Sequence, residues 1–182
     1  GLVIATEKKS LRQKYSNIKS DLQNSDVDFA IAQNVLSILQ KISPKIIGAY
    51  IPMKGEPNIS KFLEYQALPK VIDSKLEFAY ESAKVENFPE LFEISKSFSS
   101  LKEPRSNELV APDVIIVPAI AFDIEGYRLG RGGGCFDNYI ARNPSVKTIG
   151  VCFSDKLLLR LPREDHDCRM DFIVTENFIL TL

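Results

Sequence analysis

Residues 126–140, GYRLGRGGGCFDNYI, set five glycines and two arginines in front of a short helical pattern. Glycine tolerates positive φ and lets backbone N–H groups approach a ligand closely, and a helix starting behind such a loop favours negative charge at its N-terminus. Arg128 and Arg131 add planar guanidinium forks that match phosphate oxygens. Asp137, just past the loop, is an odd neighbour for phosphate unless a cation lies between them, and Mg²⁺ usually binds through one or two carboxylates plus phosphate oxygens. The spacing is not that of a P-loop, since no Gly-Lys-Ser/Thr follows, and it lacks the final glycine of the dinucleotide fingerprint. It points to phosphate without saying which phosphate. A flexible glycine turn with solvated arginines, and Asp137 as a helix cap, fits the same residues.

The elements that must position this loop alternate between helical and strand periods. Glu7 to Leu22 places Leu11, Tyr15, Ile18 and Leu22 on one face of a surface helix. A second helix, capped by Asp26 or Asp28, carries the stripe Ile31, Val35, Ile38, Leu39 and Ile42 and stops at Ser43-Pro44. KIIGAYIP reads as a buried strand, a third helix is expected after Asn58, and KVI and LEFAYE read as further strands. From Lys84 to Ala111 the pattern weakens to loop and short strands, with the serine-rich ISKSFSS inside it. DVIIVPAIAF is a buried strand leading to the glycine loop, followed by a helix from Phe136 to Arg142 and the strands VKTIGVCF and DFIVTE. This order predicts an α/β fold, a three-layer open parallel or mixed sheet with helices on both faces, with 1–182 as a single domain. The loop would then lie at the carboxyl ends of the strands, where open sheets bind ligands.

Composition narrows the partners. Hydrophobic residues make up 45% of the chain and net charge is −1, which suits a folded globular protein and gives no hint of nucleic acid. The basic residues Lys8, Lys9, Arg12, Lys14 and Lys19 near the start read, on charge alone, as a solvated helix face. Cys135, Cys152 and Cys168 form no CxxC pair and suggest neither a disulfide framework nor a structural zinc site, so a reducing, cytoplasmic setting is expected. No apolar run approaches the roughly 20 residues that span a bilayer, and a membrane role is not expected. With no coiled-coil seam, a monomer is the expectation.

The run from AFD through GYRLGRGGGCFDNYI resembles the signature of 5-formyltetrahydrofolate cyclo-ligases (methenyltetrahydrofolate synthetases). KKSLR near the start, YIPMKGEPN, IGVCF and LPREDHDCRMDFIVTE are similar to further segments of that family in the same order. The resemblance implies ATP contacts at Lys8, Lys9, Arg12, Arg128, Leu129, Gly130, Arg131, Gly132, Gly133, Gly134, Cys135 and Phe136. It implies folate contacts at Ile51, Glu56 and Arg131 through Cys135, with Mg²⁺ at Asp137 and Asp171. Lys8, Arg128 and Arg131 would act on the moving phosphoryl group. Two positions depart from the family: Cys135 stands where Tyr is usual, and Ala119 where glycine is common.

Other chemistries fit parts of the chain. His166 beside Cys168 or Cys135 could form a thiol–imidazole pair, although HDC equally makes a surface turn before DFIVTE. A nucleotide-binding module without catalysis would keep the glycine loop and lack a folate pocket, and a sugar-phosphate isomerase would use the loop without ATP.

Overall fold

A computed structural model describes residues 1–16, 20–98 and 100–182. Ile18 and Lys19, assigned above to the first helix and its basic cluster, lie outside the described residues, as does Ser99 of the serine-rich stretch. In chain order, α1 (Leu2–Ser16) and α2 (Ser25–Ile42) precede β1 (Ile47–Gly48), β2 (Ala67–Ile72) and β3 (Lys75–Tyr80). β4 (Phe92–Ile94), β5 (Lys102–Pro104) and β6 (Leu109–Val110) fill the weakly patterned middle. β7 (Val114–Val117), β8 (Ala121–Asp123) and β9 (Arg128–Leu129) lead into α3 (Cys135–Arg142). β10 (Lys147–Val151), β11 (Leu157–Leu158), β12 (Phe172–Val174) and β13 (Ile179–Thr181) close the chain.

The main sheet has the order β13-β12-β10-β7-β1-β2-β3-β6. Strands β12, β10, β7, β1 and β2 are mutually parallel, and β13, β3 and β6 add antiparallel edges. Alternation along β7 shows why both faces are covered. Val114 and Ile116 join Ile31, Val35, Ile38 and Leu39 of α2, while Ile115 and Val117 join Phe136 and Tyr139 of α3. A strand buried on both faces must be apolar throughout, as VIIV is. The mixed sheet with helices on both faces is therefore as the sequence predicts.

A second, three-stranded sheet, β11-β8-β9, stands beyond the carboxyl end of β7. Leu11 and Tyr15 of α1 pack on its Ile120, Ala121, Leu129 and Leu161. Its centre is Asp123, fully buried, whose carboxylate accepts from the backbone N–H groups of Glu125, Tyr127 and Leu161 and from Arg163 at 2.8 Å.

Several elements differ from expectation for local reasons. The first helix starts at Leu2 and ends at Ser16, not at Glu7 and Leu22. Ser20 leaves the helical path because its hydroxyl donates to Asp155 and accepts from Leu22 N–H, a side-chain alternative to helix bonding. The cap of α2 is Asn24, whose Oδ1 accepts from Val27 N–H at 3.0 Å. Asp28 is buried instead and accepts from Asn58 N–H, so neither aspartate caps. The third helix shrinks to a single 3₁₀ turn, Ser60–Phe62, because the chain turns extended at Leu63 to enter β2. Only Ile47–Gly48 of KIIGAYIP pairs as a strand. No helix among the described residues is long and apolar enough to cross a membrane.

Candidate active site

The glycine loop leaves β9 above the carboxyl end of β7. Gly132 (φ 107°) and Gly134 (φ 64°) both need the left-handed region, and Gly134 is the N-cap of α3. This backbone bends tightly enough for Arg128 to fold back under the loop. Its Nε donates to Pro118 O at 2.8 Å and its guanidinium lies 4.8 Å from the Phe136 ring centroid. Burial pulls the Arg128 pKa down, and Asp137 and Glu56 oppose that shift.

Two cavities, each of about 240 Å³, meet at this arginine: Arg128 and Gly134 line both. The first is largely apolar, walled by Tyr50, Ile51, Met53, Leu76, Phe98 and Phe136, with Cys135 and Gly133 at the loop side. At its floor lies Glu56, 6% exposed. Its carboxylate accepts from Met53 N–H at 2.8 Å and from Arg131 Nη2 at 3.3 Å. Burial raises the Glu56 pKa, and the Arg131 charge opposes this.

The second cavity is polar and draws on both ends of the chain. Lys8 and Arg12, one helical turn apart on α1, face it together with Gly130, Gly132, Asp137, Glu164, His166 and Asp167. Lys8 is buried and its Nζ lies 2.6 Å from Asp167 Oδ2, which also accepts from Glu164 N–H. Arg12 Nε donates to Gly130 O at 2.8 Å and so ties α1 to the loop. Burial alone would raise the Asp167 pKa, but the bond from Lys8 and that from Glu164 N–H hold it below the ordinary value. Asp137 is pushed up by burial, against the Arg128 charge. Its Oδ1 accepts from Cys168 N–H at 3.4 Å, so it reaches across to another segment and does not cap its helix.

Most residues singled out from the sequence therefore gather here, with departures: Gly133, Cys135 and Phe136, expected at ATP, line the apolar cavity and not the polar one, and Gly132, expected also at folate, lines only the polar one. Lys9 is exposed and lines neither cavity. Leu129 points into the core of the small sheet. Arg131 lines the apolar cavity and not the polar one. Asp171 stands at the amino-terminal end of β12, on the opposite edge of the sheet from the loop. Its Oδ2 is taken up by Thr148 N–H at 2.9 Å and Thr148 Oγ1 at 3.2 Å. The carboxylate that stands near Asp137 is Asp167, four residues earlier, which the sequence reading passed over along with Glu164. Its one signal was position, inside the family-like LPREDHDCRMD. The Cys168 thiol contacts the carbonyl oxygens of Asp137 and His166, not the imidazole ring, and burial raises its pKa. A thiolate–imidazole pair has no geometry to support it.

Fold and site together define an open α/β protein with a basic glycine loop at its ligand-binding edge. The chain belongs to the 5-formyltetrahydrofolate cyclo-ligase family, which residues 4–176 match. It is 28% identical over 174 residues to the 5-formyltetrahydrofolate cyclo-ligase of Saccharomyces cerevisiae, covering 79% of this chain and 82% of that one. A shorter match to the enzyme of the same name from Mycolicibacterium smegmatis is 42% identical over 64 residues, 35% of this chain and 33% of that one. Among solved structures, Aquifex aeolicus 5,10-methenyltetrahydrofolate synthetase superposes with a TM-score of 0.74 at 29% identity, covering 99% of this chain and 93% of that one. The Mycoplasma pneumoniae 5,10-methenyltetrahydrofolate synthetase shares the fold, with a TM-score of 0.65 at 21% identity over 94% and 97% of the two chains.

Proposed function

We propose that this protein converts 5-formyltetrahydrofolate to 5,10-methenyltetrahydrofolate, coupled to cleavage of ATP to ADP and phosphate with Mg²⁺. The observation that carries the reading is the wall shared by the two cavities. A flat, largely apolar ligand on Glu56 and a polyphosphate among Lys8, Arg12 and the loop N–H groups would both end against Arg128. Such an arrangement suits phosphoryl transfer between two bound molecules, where positioning and charge stabilisation do most of the work.

In this reading the formyl oxygen attacks the γ-phosphorus and ADP leaves. N10 of the folate then bonds to the activated formyl carbon and gives up its proton, and the formyl oxygen departs with phosphate. Glu56 holds the pterin by its amino and ring N–H donors, because a carboxylate this deeply buried needs hydrogen-bond donors. Lys8 and Arg128 stabilise the charge on the phosphoryl oxygens as it shifts. No side-chain nucleophile takes part.

The donor set of the polar cavity fits Mg²⁺. Asp137 and Asp167 supply two carboxylates at the cavity that would take the polyphosphate. That is the pattern of an ion that takes its remaining ligands from phosphate and water. When bound, Mg²⁺ would neutralise charge on the phosphate oxygens. Asp167 thus replaces Asp171 as the second carboxylate.

The test mixes the protein with ATP, Mg²⁺ and 5-formyltetrahydrofolate and follows the methenyl product by its near-ultraviolet absorbance. Product formation that needs all three components is expected. Undiminished turnover in excess chelator, or without ATP, would refute the reading.

A further inference from the structure

Arg131 is the one loop arginine that faces away from the phosphate side. The polar cavity is lined by Lys8, Arg12 and Arg128 and by Gly130 and Gly132 on either side of residue 131, yet the Arg131 side chain turns into the apolar cavity. There its Nη2 donates to Lys54 O at 3.2 Å and to Glu56 Oε2 at 3.3 Å. The carboxylate side chain is 5% exposed and the guanidinium 35%, so the arginine closes over a buried charge from the solvent side. Without a ligand, Arg131 is the counter-ion that makes burial of Glu56 tolerable, and it also ties the 54–56 turn to the glycine loop.

A folate ring brings its own N–H donors to that carboxylate and competes with the guanidinium for Oε2. Once the ring is seated, Arg131 loses the partner that held it. It sits between two glycines, one at φ 107°, on the short stretch of backbone that borders the polar cavity. Resting on the function proposed above, we infer that Arg131 couples the two sites by changing partner: folate binding at Glu56 releases its guanidinium to the phosphates of ATP. Arg131 is then a positioning residue that makes the two ligands bind more tightly together than apart. Linkage requires the coupling to be reciprocal, so ATP must tighten folate by the same factor that folate tightens ATP.

The experiment measures binding without turnover, by calorimetric titration of the whole protein with Mg²⁺ and β,γ-methylene-ATP, with and without saturating 5-formyltetrahydrofolate, and then in the reverse order. Wild type should show a coupling factor of about 5 or more, equal in both directions, at the lower end of ordinary allosteric couplings. Arg131→Met, which keeps the stem and removes the charge, should bring the factor within about twofold of one, and Arg131→Lys should retain part of it. Independent binding of the two ligands to wild type, or full coupling in Arg131→Met, would overturn the inference while leaving the proposed function standing. If neither ligand binds wild type, the proposed function fails and this inference fails with it.

Discussion

The two cavities use the same kind of residue in opposite ways. In the apolar cavity Glu56 is a buried carboxylate whose pKa burial raises, its arginine partner only partly compensating. In the polar cavity Asp167 is also buried, but the bonds from Lys8 and the Glu164 N–H outweigh burial and hold its pKa down. Glu56 accepts from Met53 N–H and, at 3.3 Å, from a partly exposed Arg131, a partner that the N–H groups of a neutral heterocycle could displace. Asp167 fixes a lysine in place through Oδ2 and, on the function proposed above, also offers a carboxylate to the cation. The two carboxyl groups thus acquire different tasks from their partners.

The largest expected effect comes from breaking the tighter pair. Lys8→Met leaves Asp167 buried without its cation and should lower unfolding stability by about 3 kcal/mol, measured by urea denaturation. The same change should cut turnover by about 100-fold or more, as loss of a preorganised charge at a phosphoryl group does. Adding Asp167→Asn should restore most of the stability, which isolates the structural role of the pair, while turnover stays low because that variant also lacks a carboxylate proposed for Mg²⁺.

Glu56→Gln tests the other side. It keeps the shape and removes the charge, and should raise the Michaelis constant for 5-formyltetrahydrofolate about tenfold, since a charge-assisted hydrogen bond is worth about 1.5 kcal/mol or more over a neutral one's absence. Affinity for a non-hydrolysable ATP analogue, measured without folate, should not fall.

The two carboxylates should also respond oppositely to pH in the ligand-free protein. The folded state raises the Glu56 pKa above 4.5, so its contribution to stability is present below that pH and is lost as pH rises through the raised value. The folded state lowers the Asp167 pKa below 3.8, so its contribution is present above that pH and is lost as pH falls through the lowered value. Relative to wild type, Glu56→Gln should therefore gain stability as pH rises above 4.5. Asp167→Asn should lose its deficit only in strong acid. Urea unfolding at a series of pH values checks both signs, and parallel curves for the two variants would erase the contrast.

The smallest effect concerns Cys135. Tyr50, Phe98 and Phe136 already bring three rings to the apolar cavity, and the ring built at position 135 by Cys135→Tyr would be a fourth. A gain of no more than about twofold in folate affinity is expected, the low end for aromatic contacts. Cys135→Ala should keep turnover within about tenfold of wild type, because the thiol packs at the edge of the core and its polar contact is the long one to Gly133 O, at 3.9 Å.

What the sequence made legible follows from how local each signal is. The glycine loop and the helix behind it stand where the pattern puts them, while DVIIVPAIAF, read as one buried strand, is broken into β7 in the main sheet and β8 in the small one. The stripe of α2 was equally readable, because Ile31, Val35 and Ile38 meet the sheet by helical period alone. Asp167 was not, since its meaning depends on a lysine 159 residues away. Asp171 was marked only by the family resemblance, and it takes the register of β10 beside β12 to show Thr148 capturing it. The direction of Arg131 was hidden for the same reason: two arginines in one loop look alike until the turn carrying Glu56 is folded against them.

The bond from Lys8 to Asp167 has a consequence in time as well as in space. Apart from Leu11 and Tyr15, which pack half-buried on the small sheet, the first helix offers little apolar surface to the rest of the molecule, and Lys8 is its one buried residue. It is held by that bond, by Arg12 on Gly130 O and by Lys156 on Tyr15 O, contacts that reach 118 to 159 residues along the chain. Closing loops of that length brings no reward until nearly the whole polypeptide is in place. On a ribosome, the half of the sheet built from β1, β2, β3, β6 and β7 can assemble while the lysine helix still has nothing to dock against, so the polar cavity comes into being later than that half of the sheet. The same helix is the first part to leave when the protein loosens, and its amides should exchange with solvent well before those of β7 or β10.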